Sequence, residues 1–368
     1  MGVNQVLEAA TQFVTPAQTV QRAEPYGFGN INDTYLVQLG SDSGKRFVLQ
    51  RINQNVFPYP KLIMANLRVV LQHADAKDDV PSDRDRWELP RVLSTREGKD
   101  YFIDEEGGFW RGLSYIDGAT AYPEVRDAQH AAEAGYALGR FQRLINDVDT
   151  KVLHDTLPGF HIVPQYLAHY EEVLAAPKRP LSPRVRFGMA FIAERKDWAS
   201  VLEDAREAGK LRPRPIHGDP KIDNIMIDDE TGQAVSIIDL DTVKPGLVQY
   251  DIGDCLRSSC NPLGEHTHEI DRVTFELELC EAILQGYLPE VEDFYTPEDY
   301  AYIFDSVRVL AFEMGLRFFT DYLEGDVYFK TRSEEHNLRR ALVQFKLMES
   351  IESQEDEIRR MIRSMVGT

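Results

Sequence analysis

Cysteine is scarce in this chain of 368 residues, which contains only Cys255, Cys260 and Cys280. Such a small, odd number does not supply a disulfide framework. The spacing between Cys255 and Cys260 matches no common metal-site pattern. We therefore interpret all three residues as buried thiols.

Long apolar runs and positive charge are also lacking. No apolar run is long enough to span a bilayer, and the N-terminus lacks the basic segment and apolar run of a signal peptide, so we expect a cytoplasmic protein. The 41 Lys and Arg residues are outnumbered by 61 Asp and Glu residues, which gives a formal charge of −20. This balance argues against nucleic acid or an anionic membrane as partner and favours a small-molecule substrate. The sequence leaves a monomer and a homodimer both open.

The most informative stretch runs over residues 216–241. It reads as strand, polar loop, strand, turn and strand, because apolar segments at 225–227 and 235–238 flank the turn at 228–232. Three acid or amide side chains are expected to be held against this short sheet: Asp219, Asn224 and Asp239.

This set of side chains fits phosphoryl transfer from ATP. In kinases an Asp accepts the hydroxyl proton of the acceptor, an Asn five residues later binds Mg²⁺, and a later Asp bridges the metal and the phosphates. Carboxylate and amide oxygens suit the hard Mg²⁺ ion. We therefore predict Asp219 as the catalytic base that also contacts the acceptor, and Asn224 and Asp239 as the metal ligands.

A turn with two glycines precedes this stretch in the chain. Glycines at a hairpin tip allow backbone N–H groups to approach phosphates without a Cβ in the way. We assign Gly27, Gly29, Asn30 and Asn32 to the nucleotide site on this basis.

The usual lysine and glutamate of a kinase small lobe are missing. The strand after the glycine-rich turn should carry a Lys that pairs with a Glu on the next helix. Here Gln50 stands at the Lys position, and the predicted helix over 61–74 contains no Glu. We expect Arg51 or Arg68 to supply the positive charge, with Arg51 ahead because it lies on the strand, unless metal and backbone groups supply all of it.

The order of strands and helices predicts an α+β, bilobal, protein-kinase-like fold. A small β-rich N-terminal lobe should cover residues 1–114, and a larger, mainly helical C-terminal lobe should cover 115–368. In such a fold the backbone at Tyr115, Ile116 and Asp117 would bind the adenine edge. Helical apolar spacing is found over 3–14, 126–144, 163–174, 184–207, 275–287, 297–322 and 337–366.

Charged residues in the helical part have two readings each. Asp251 is either a helix N-cap or a brace for the catalytic loop, and we prefer a structural role. Asp254 and Arg257 lie three residues apart on one helix face and can form an ion pair. Arg257 can instead point at phosphate or substrate. His161 is either a residue that faces the substrate or an ordinary loop histidine, and we favour the second reading.

Arg317 lies inside an apolar helical run and therefore needs a partner, because an unpaired buried charge is expensive. Glu313 and Asp321, each four residues away, are the candidates for a structural ion pair. The other reading of Arg317 is a ligand-binding residue.

From Glu24-Pro25-Tyr26-Gly27 to His336-Asn337-Leu338, the sequence resembles the aminoglycoside phosphotransferase and choline kinase superfamily. It is most similar there to the N-acetylhexosamine 1-kinases. Those enzymes move the γ-phosphate of ATP to the anomeric hydroxyl of N-acetylglucosamine or N-acetylgalactosamine. The resemblance implies the same base and Mg²⁺ ligands as the motif does.

The resemblance also implies roles beyond the motif. Arg317 and Tyr328 match the substrate-binding part of the family, and Asp241 in Ile-Asp-Leu-Asp-Thr would support the metal site. The family can have His where Asn30 stands and Asn where Gly218 stands. These departures bear on the substrate more than on the reaction.

The leading interpretation is an ATP- and Mg²⁺-dependent kinase of the anomeric hydroxyl of an amino sugar. The runner-up is a kinase of another small alcohol, such as choline, an aminoglycoside or an amino-acid hydroxyl. Arg317 argues mildly against a cationic acceptor. A nucleotide-binding protein without activity is a third reading, which the missing Lys–Glu pair motivates and the intact acid and amide set opposes.

Overall fold

The computed structural model describes residues 3–27, 29, 31–40, 44–77, 84 and 86–367. Its N-terminal part is built around an antiparallel sheet with strand order β1-β2-β3-β6-β4, in which β5 also pairs with β6. The elements are α1 (Val3–Thr11), β1 (Thr19–Pro25), β2 (Asp33–Gly40), β3 (Arg46–Ile52), α2 (Pro60–Ala76), β4 (Val92–Leu93), β5 (Phe102–Ile103) and β6 (Phe109–Ser114).

The two faces of this sheet pack against different helices. Leu49 on β3 and Trp110 on β6 belong to the core shared with α1. Ile52 belongs to the core shared with α2 and the second part of the chain. Because successive side chains of a strand point to opposite faces, Gln50 shares the α2 face with Ile52, and Arg51 shares the α1 face with Leu49.

The rest of the chain is mainly helical. Its elements are β7 (Ala119–Ala121), α3 (Ala128–Ile145), α4 (Val163–Ala175), α5 (Pro183–Arg195), α6 (Val201–Glu207), β8 (Arg214–Ile216), β9 (Ile225–Asp228), β10 (Ala234–Ile237), β11 (Lys244–Gly246), α7 (Val248–Ser259), α8 (Leu277–Val291), α9 (Pro297–Ala301), α10 (Ile303–Glu324), α11 (His336–Ser353) and α12 (Glu355–Val366). Two small sheets carry the catalytic stretch, with strand orders β10-β9-β7 and β11-β8. One large apolar core joins these helices.

Glycines allow α3 and α8 to pack in close contact. A Cβ at Gly135 would lie 2.0 Å from the carbonyl oxygen of Ile283, and a Cβ at Gly286 would lie 2.0 Å from that of Ala132. These small residues bring the backbones of the two helices into close contact. This contact fixes the position of the helix that lies behind the catalytic loop.

The predicted α+β, bilobal, protein-kinase-like fold is confirmed, whereas some elements differ from expectation. The helix predicted over 184–207 is divided into α5 and α6 by a 3₁₀ turn at Lys196–Trp198. β1 was not predicted because its residues are half-buried or exposed and carry no alternating apolar pattern. None of the helices that the structure describes is long and apolar enough to cross a membrane. The lobe boundary at 114 stays a prediction.

Candidate active site

The predicted catalytic loop connects β8 to β9 and is shaped by His217 and Gly218. Nε2 of the buried His217 lies 3.0 Å from the carbonyl oxygen of Ile238, while Nδ1 accepts the backbone N–H of Asp219 at 3.2 Å. Gly218 has a φ of +87°, in the left-handed region where glycine is favoured. These contacts turn the chain sharply just before Asp219.

Asp251, on α7, holds this loop through its backbone. Its carboxylate accepts the backbone N–H groups of His217 and Gly218, both at 2.8 Å, and the side-chain amide of Gln142 at 2.9 Å. Asp251 lies inside α7, three residues after its first residue, Val248, so the N-cap reading is wrong and the brace reading is confirmed. Burial raises the pKa of Asp251, and the three donors act in the opposite direction.

The structure brings Asp219, Asn224 and Asp239 together around this loop. Nδ2 of Asn224 donates to the carbonyl oxygen of Asp219 at 2.8 Å, which leaves the amide oxygen Oδ1 for a cation. Asp239 has a φ of +63°. Burial, followed by the nearby carboxylates of Asp241 and Asp219, raises the pKa of Asp239 to about 7.

This donor set fits Mg²⁺. A divalent cation would relieve the repulsion between the carboxylates, and Asn224 and Asp239 supply the hard oxygen ligands that Mg²⁺ prefers. Among the described residues, no group of three or more His, Cys, Asp and Glu side chains is arranged to hold a metal ion. A magnesium ion here would therefore take its other ligands from nucleotide phosphates and water.

Lys221 adds a positive charge beside the predicted base. Its ammonium group lies 3.3 Å from a carboxylate oxygen of Asp219 and 3.8 Å from one of Asp223. The Asp219 carboxylate, more than any other group, raises the pKa of Lys221. In the sequence, Lys221 follows the predicted base Asp219 by two residues, and this short spacing indicates that the two side chains lie near each other.

Arg111 lies beside the predicted metal ligands, although no local sequence pattern indicates this. Its Nη2 atom lies 2.5 Å from Oδ1 of Asp241, and both groups are almost fully buried. Nε and Nη2 also donate to Oε1 of Gln50 at 3.0 and 2.7 Å. Asn32 donates to the other oxygen of Asp241 at 2.8 Å. The predicted nucleotide turn, the N-terminal sheet and the segment that carries the predicted metal ligand Asp239 therefore meet at one carboxylate.

The other residues assigned to the nucleotide turn lie near its tip. Gly27 adopts a left-handed φ of +80°, and a Cβ at Gly27 or Gly29 would meet no described atom within 4 Å. The turn has open space at these positions. Asn30 lies outside the described residues.

The structure corrects the expected position of the phosphate-binding arginine. The Arg51 guanidinium lies 5.9 Å from the ring of Trp110, on the α1 face of the sheet. That face is opposite the one that carries Gln50, so Arg51 points away from the segment that carries Asp239 and Asp241. Arg68 forms an ion pair with Asp100 and is itself largely exposed.

The segment predicted to bind adenine lies beside the nucleotide turn. The Tyr115 ring makes an edge contact with Tyr26 at 5.9 Å, and the Arg46 guanidinium lies 4.3 Å from its centre. The carbonyl oxygen of Asp117 accepts a hydrogen bond from the Arg86 guanidinium at 2.7 Å. Ile116, the third residue of the predicted segment, is buried in a small apolar cluster with Ala119, Met226 and Val235.

The structure also brings together the two residues predicted to bind substrate. The Arg317 guanidinium carbon lies 5.1 Å from the ring centres of Phe160 and Tyr166, and 6.0 Å from that of Tyr328. Its ion-pair partner is Glu313 at 3.3 Å.

Asp321, the other candidate partner of Arg317, has a different function. Its carboxylate accepts the backbone N–H groups of Val327, Tyr328 and Phe329 at 2.7–3.0 Å and the side-chain amide of Asn337 at 2.8 Å. Asp321 therefore holds the loop that carries Tyr328.

His161 joins the catalytic loop to α10. Its Nε2 lies 2.8 Å from the carbonyl oxygen of Gly218, and its Nδ1 lies 3.1 Å from a carboxylate oxygen of Glu313. Both ring nitrogens face acceptor oxygens, so the protonated imidazole can donate to both. Burial alone would lower the pKa of His161, but Glu313 and Asp254 outweigh burial and raise it. Reading His161 as an ordinary loop histidine overlooked this contact.

The ion pair predicted within α7 is confirmed. Arg257 donates from Nε and Nη2 to Oδ1 of Asp254 at 2.9 and 2.5 Å, and both residues are buried. The negative charges of Asp254, Glu265 and Asp219 raise the pKa of Arg257 despite its burial. Arg257 therefore adds positive charge near the predicted base as well as closing an ion pair.

Similar proteins include several kinases of known structure. A microcompartment-associated aminopropanol kinase is 16% identical, with 97% of this chain and 99% of that chain covered and a TM-score of 0.65. A choline kinase from Cryptosporidium parvum Iowa II is 11% identical, with 100% of both chains covered and a TM-score of 0.61. A Plasmodium vivax ethanolamine kinase is 12% identical, with 93% of this chain and 87% of that chain covered and a TM-score of 0.57.

At these identities the structural likeness shows a shared fold. The family model described as "Phosphotransferase enzyme family" matches residues 22–292, which is more than half of the sequence. The chain therefore belongs to the phosphotransferase enzyme family.

Proposed function

We propose that this protein is an ATP- and Mg²⁺-dependent kinase of the anomeric hydroxyl of an N-acetylhexosamine, with the sugar 1-phosphate as product. The observation that carries the proposal is a chain of contacts from Arg317 through Glu313 and His161 to the carbonyl oxygen of Gly218, at 3.3, 3.1 and 2.8 Å. These contacts fix the position of the Arg317 guanidinium, which aromatic rings surround, relative to Asp219, the residue after Gly218.

The transfer step follows from the chemistry of these groups. Asp219 would accept the proton of the sugar hydroxyl while the oxygen of that hydroxyl attacks the γ-phosphorus. The bond between the γ-phosphorus and the β–γ bridging oxygen breaks, so that ADP leaves. An anomeric hydroxyl is more acidic than an ordinary alcohol and therefore suits a carboxylate base. Asn224 and Asp239 are the residues that would hold Mg²⁺, which neutralises phosphate charge when bound.

The acceptor side supports a neutral sugar. Arg317 is a donor-only group that suits hydroxyl and carbonyl oxygens. The rings of Phe160, Tyr166 and Tyr328 around it offer apolar surface. A cationic acceptor placed beside the guanidinium would be repelled.

A second candidate is a kinase of a small amino alcohol. The net charge of −20 favours a cationic acceptor, and the similar structures named above are kinases of aminopropanol, choline and ethanolamine. Their low sequence identity leaves the acceptor open, so the two candidates have to be compared directly.

Phosphorus NMR of the protein with ATP, Mg²⁺ and each N-acetylhexosamine in turn tests the proposal. We expect a sugar 1-phosphate signal, and we expect Asp219→Asn to lower turnover by about two to four orders of magnitude while ADP binding stays nearly unchanged. Retained turnover in this variant would remove Asp219 from the role of base.

The same assay separates the alternatives. Phosphorylation of choline, ethanolamine or aminopropanol without a sugar product would replace the proposal by the second candidate. Nucleotide binding without transfer to any acceptor would identify a non-catalytic nucleotide-binding protein.

A further inference from the structure

A kinase small lobe ordinarily supplies one buried cation to the nucleotide phosphates. That cation is a Lys on the strand after the glycine-rich turn, paired with a Glu on the next helix. In this chain Gln50 occupies the strand position. On α2, Asn66 is buried and donates to the carbonyl oxygens of His154 and Val243, both at 2.8 Å. Neither member of the usual pair is present, yet the phosphates carry the same charge.

Strand register places an arginine beside Gln50, the residue at the usual lysine position. Arg111 on β6 is the direct cross-strand partner of Gln50 on β3. Paired residues of an antiparallel ladder project from the same face, and the hydrogen bonds from Arg111 to Oε1 of Gln50 at 2.7 and 3.0 Å agree with this. The positive charge is therefore on β6 instead of β3, on the same face of the sheet as Gln50.

The partner of Arg111 belongs to the metal-binding segment. Asp241 follows Asp239 by two residues, and its ion pair with Arg111 at 2.5 Å connects that segment to the N-terminal sheet. Asn32, which follows the nucleotide turn, donates to the other carboxylate oxygen at 2.8 Å. Three parts of the chain that face the nucleotide in a kinase are therefore held together by Arg111 and its acceptor.

The guanidinium has an unused donor. Arg111 is 1% exposed. Within the described part of the chain, its Nη1 has no hydrogen-bond partner. A buried donor without an acceptor is costly, and an apolar pair of similar size is often as stable as a buried ion pair. A phosphate oxygen would satisfy Nη1.

We propose that Arg111 is the phosphate-binding cation of this protein, with Nη1 as the donor to a phosphate oxygen of the bound nucleotide and Asp241 as the group that orients the guanidinium. This assignment rests on the proposed kinase function. It replaces the expectation that Arg51 supplies the charge, and it requires no change in the phosphoryl-transfer step.

Nucleotide titrations by calorimetry test the assignment without any acceptor sugar. We expect Arg111→Gln to weaken ADP binding, with and without Mg²⁺, by roughly tenfold to a hundredfold, as for loss of one charge-assisted hydrogen bond. Adenosine, which has no phosphate, should bind Arg111→Gln as it binds the wild type. Unchanged ADP binding, or an equal loss for adenosine and ADP, would overturn the assignment.

Two further variants sharpen the comparison. Arg214→Gln removes an ion pair with Asp299 that is similarly buried but lies within the helical lobe, so it controls for a general loss of stability. Arg51→Gln tests the competing arginine. If Arg51→Gln or Arg214→Gln weakens ADP binding selectively and Arg111→Gln does not, Arg111 is not the phosphate-binding cation.

A measurement on the wild-type protein covers the case in which Arg111→Gln does not fold. The Nε signal of Arg111 in a nitrogen–proton NMR spectrum, assigned by its loss in Arg111→Lys, should shift on addition of ADP and stay in place with adenosine. A signal that responds to neither ligand would overturn the assignment. Wild-type protein that binds no adenine nucleotide would instead refute the proposed kinase function itself.

Discussion

Replacing Asp251 by Asn tests whether the brace beneath the catalytic loop sets both stability and turnover. In the wild type, Oδ1 accepts the N–H of Gly218, and Oδ2 accepts the N–H of His217 and the amide of Gln142. An asparagine has one oxygen and one NH₂ group. Whichever way the amide is oriented, NH₂ must face at least one buried N–H donor.

The expected magnitude follows from this mismatch. If the amide oxygen keeps the two bonds of Oδ2, the bond to Gly218 is lost. A hydrogen bond to a charged group contributes about 1.5–3 kcal/mol, and a buried donor left without an acceptor costs about 1–3 kcal/mol. We therefore expect Asp251→Asn to lower the free energy of unfolding by about 3–5 kcal/mol. We also expect a lower kcat, because Asp219 follows the two backbone groups that are released.

Urea unfolding and steady-state kinetics measure the two effects. Gln142→Leu is the matched control, because it leaves both backbone bonds of Asp251 and removes only the bonds of the Gln142 amide to Asp251 and from the Tyr287 hydroxyl. Its loss should therefore be smaller, about 1.5–3 kcal/mol. A loss below about 1 kcal/mol in Asp251→Asn with unchanged kcat would refute the reasoning. So would equal losses in both variants.

Two other predictions concern buried contacts elsewhere. Because Glu313 and Asp254 raise the folded-state pKa of His161, its protonation stabilises the fold fully below about pH 6.5, and this contribution is lost as pH rises through the raised pKa. The difference in unfolding free energy between wild type and His161→Gln should therefore shrink above pH 6.5, and a difference that grows with pH would contradict this. Gly286→Ala places a Cβ 2.0 Å from a carbonyl oxygen of α3, so thermal unfolding should show a loss of about 1–3 kcal/mol. An unchanged Tm would contradict the close packing.

The sequence indicates that Asp219, Asn224 and Asp239 lie near one another because the relevant information is local. Asp219, Asn224 and Asp239 lie within one stretch, and the strands and turn between them bring them together. Arg51 illustrates the limit of such reasoning. It stands next to the lysine position, but neighbouring residues of a strand point to opposite faces, so one residue of displacement places the charge on the wrong side of the sheet.

Other site residues could not be predicted because their partners are distant in the chain. His161 contacts Gly218 across 57 residues and Glu313 across 152 residues. Arg111 and Gln50 are 61 residues apart and meet only through the pairing of β3 and β6. Strand register and loop packing are properties of the folded chain, and a single sequence contains no direct record of them.

The amide of Asn66 has a consequence for how such a kinase can be controlled. In protein kinases the helix after the glycine-rich strand is repositioned to switch the enzyme on and off. In this protein α2 is anchored by three hydrogen bonds of Asn66, two to carbonyl oxygens and one from the N–H of His154, all at 2.8 Å. Swinging α2 outwards would break all three at about 1 kcal/mol each. These contacts favour the docked position of α2, so moving this helix would be a costly way to switch the protein off.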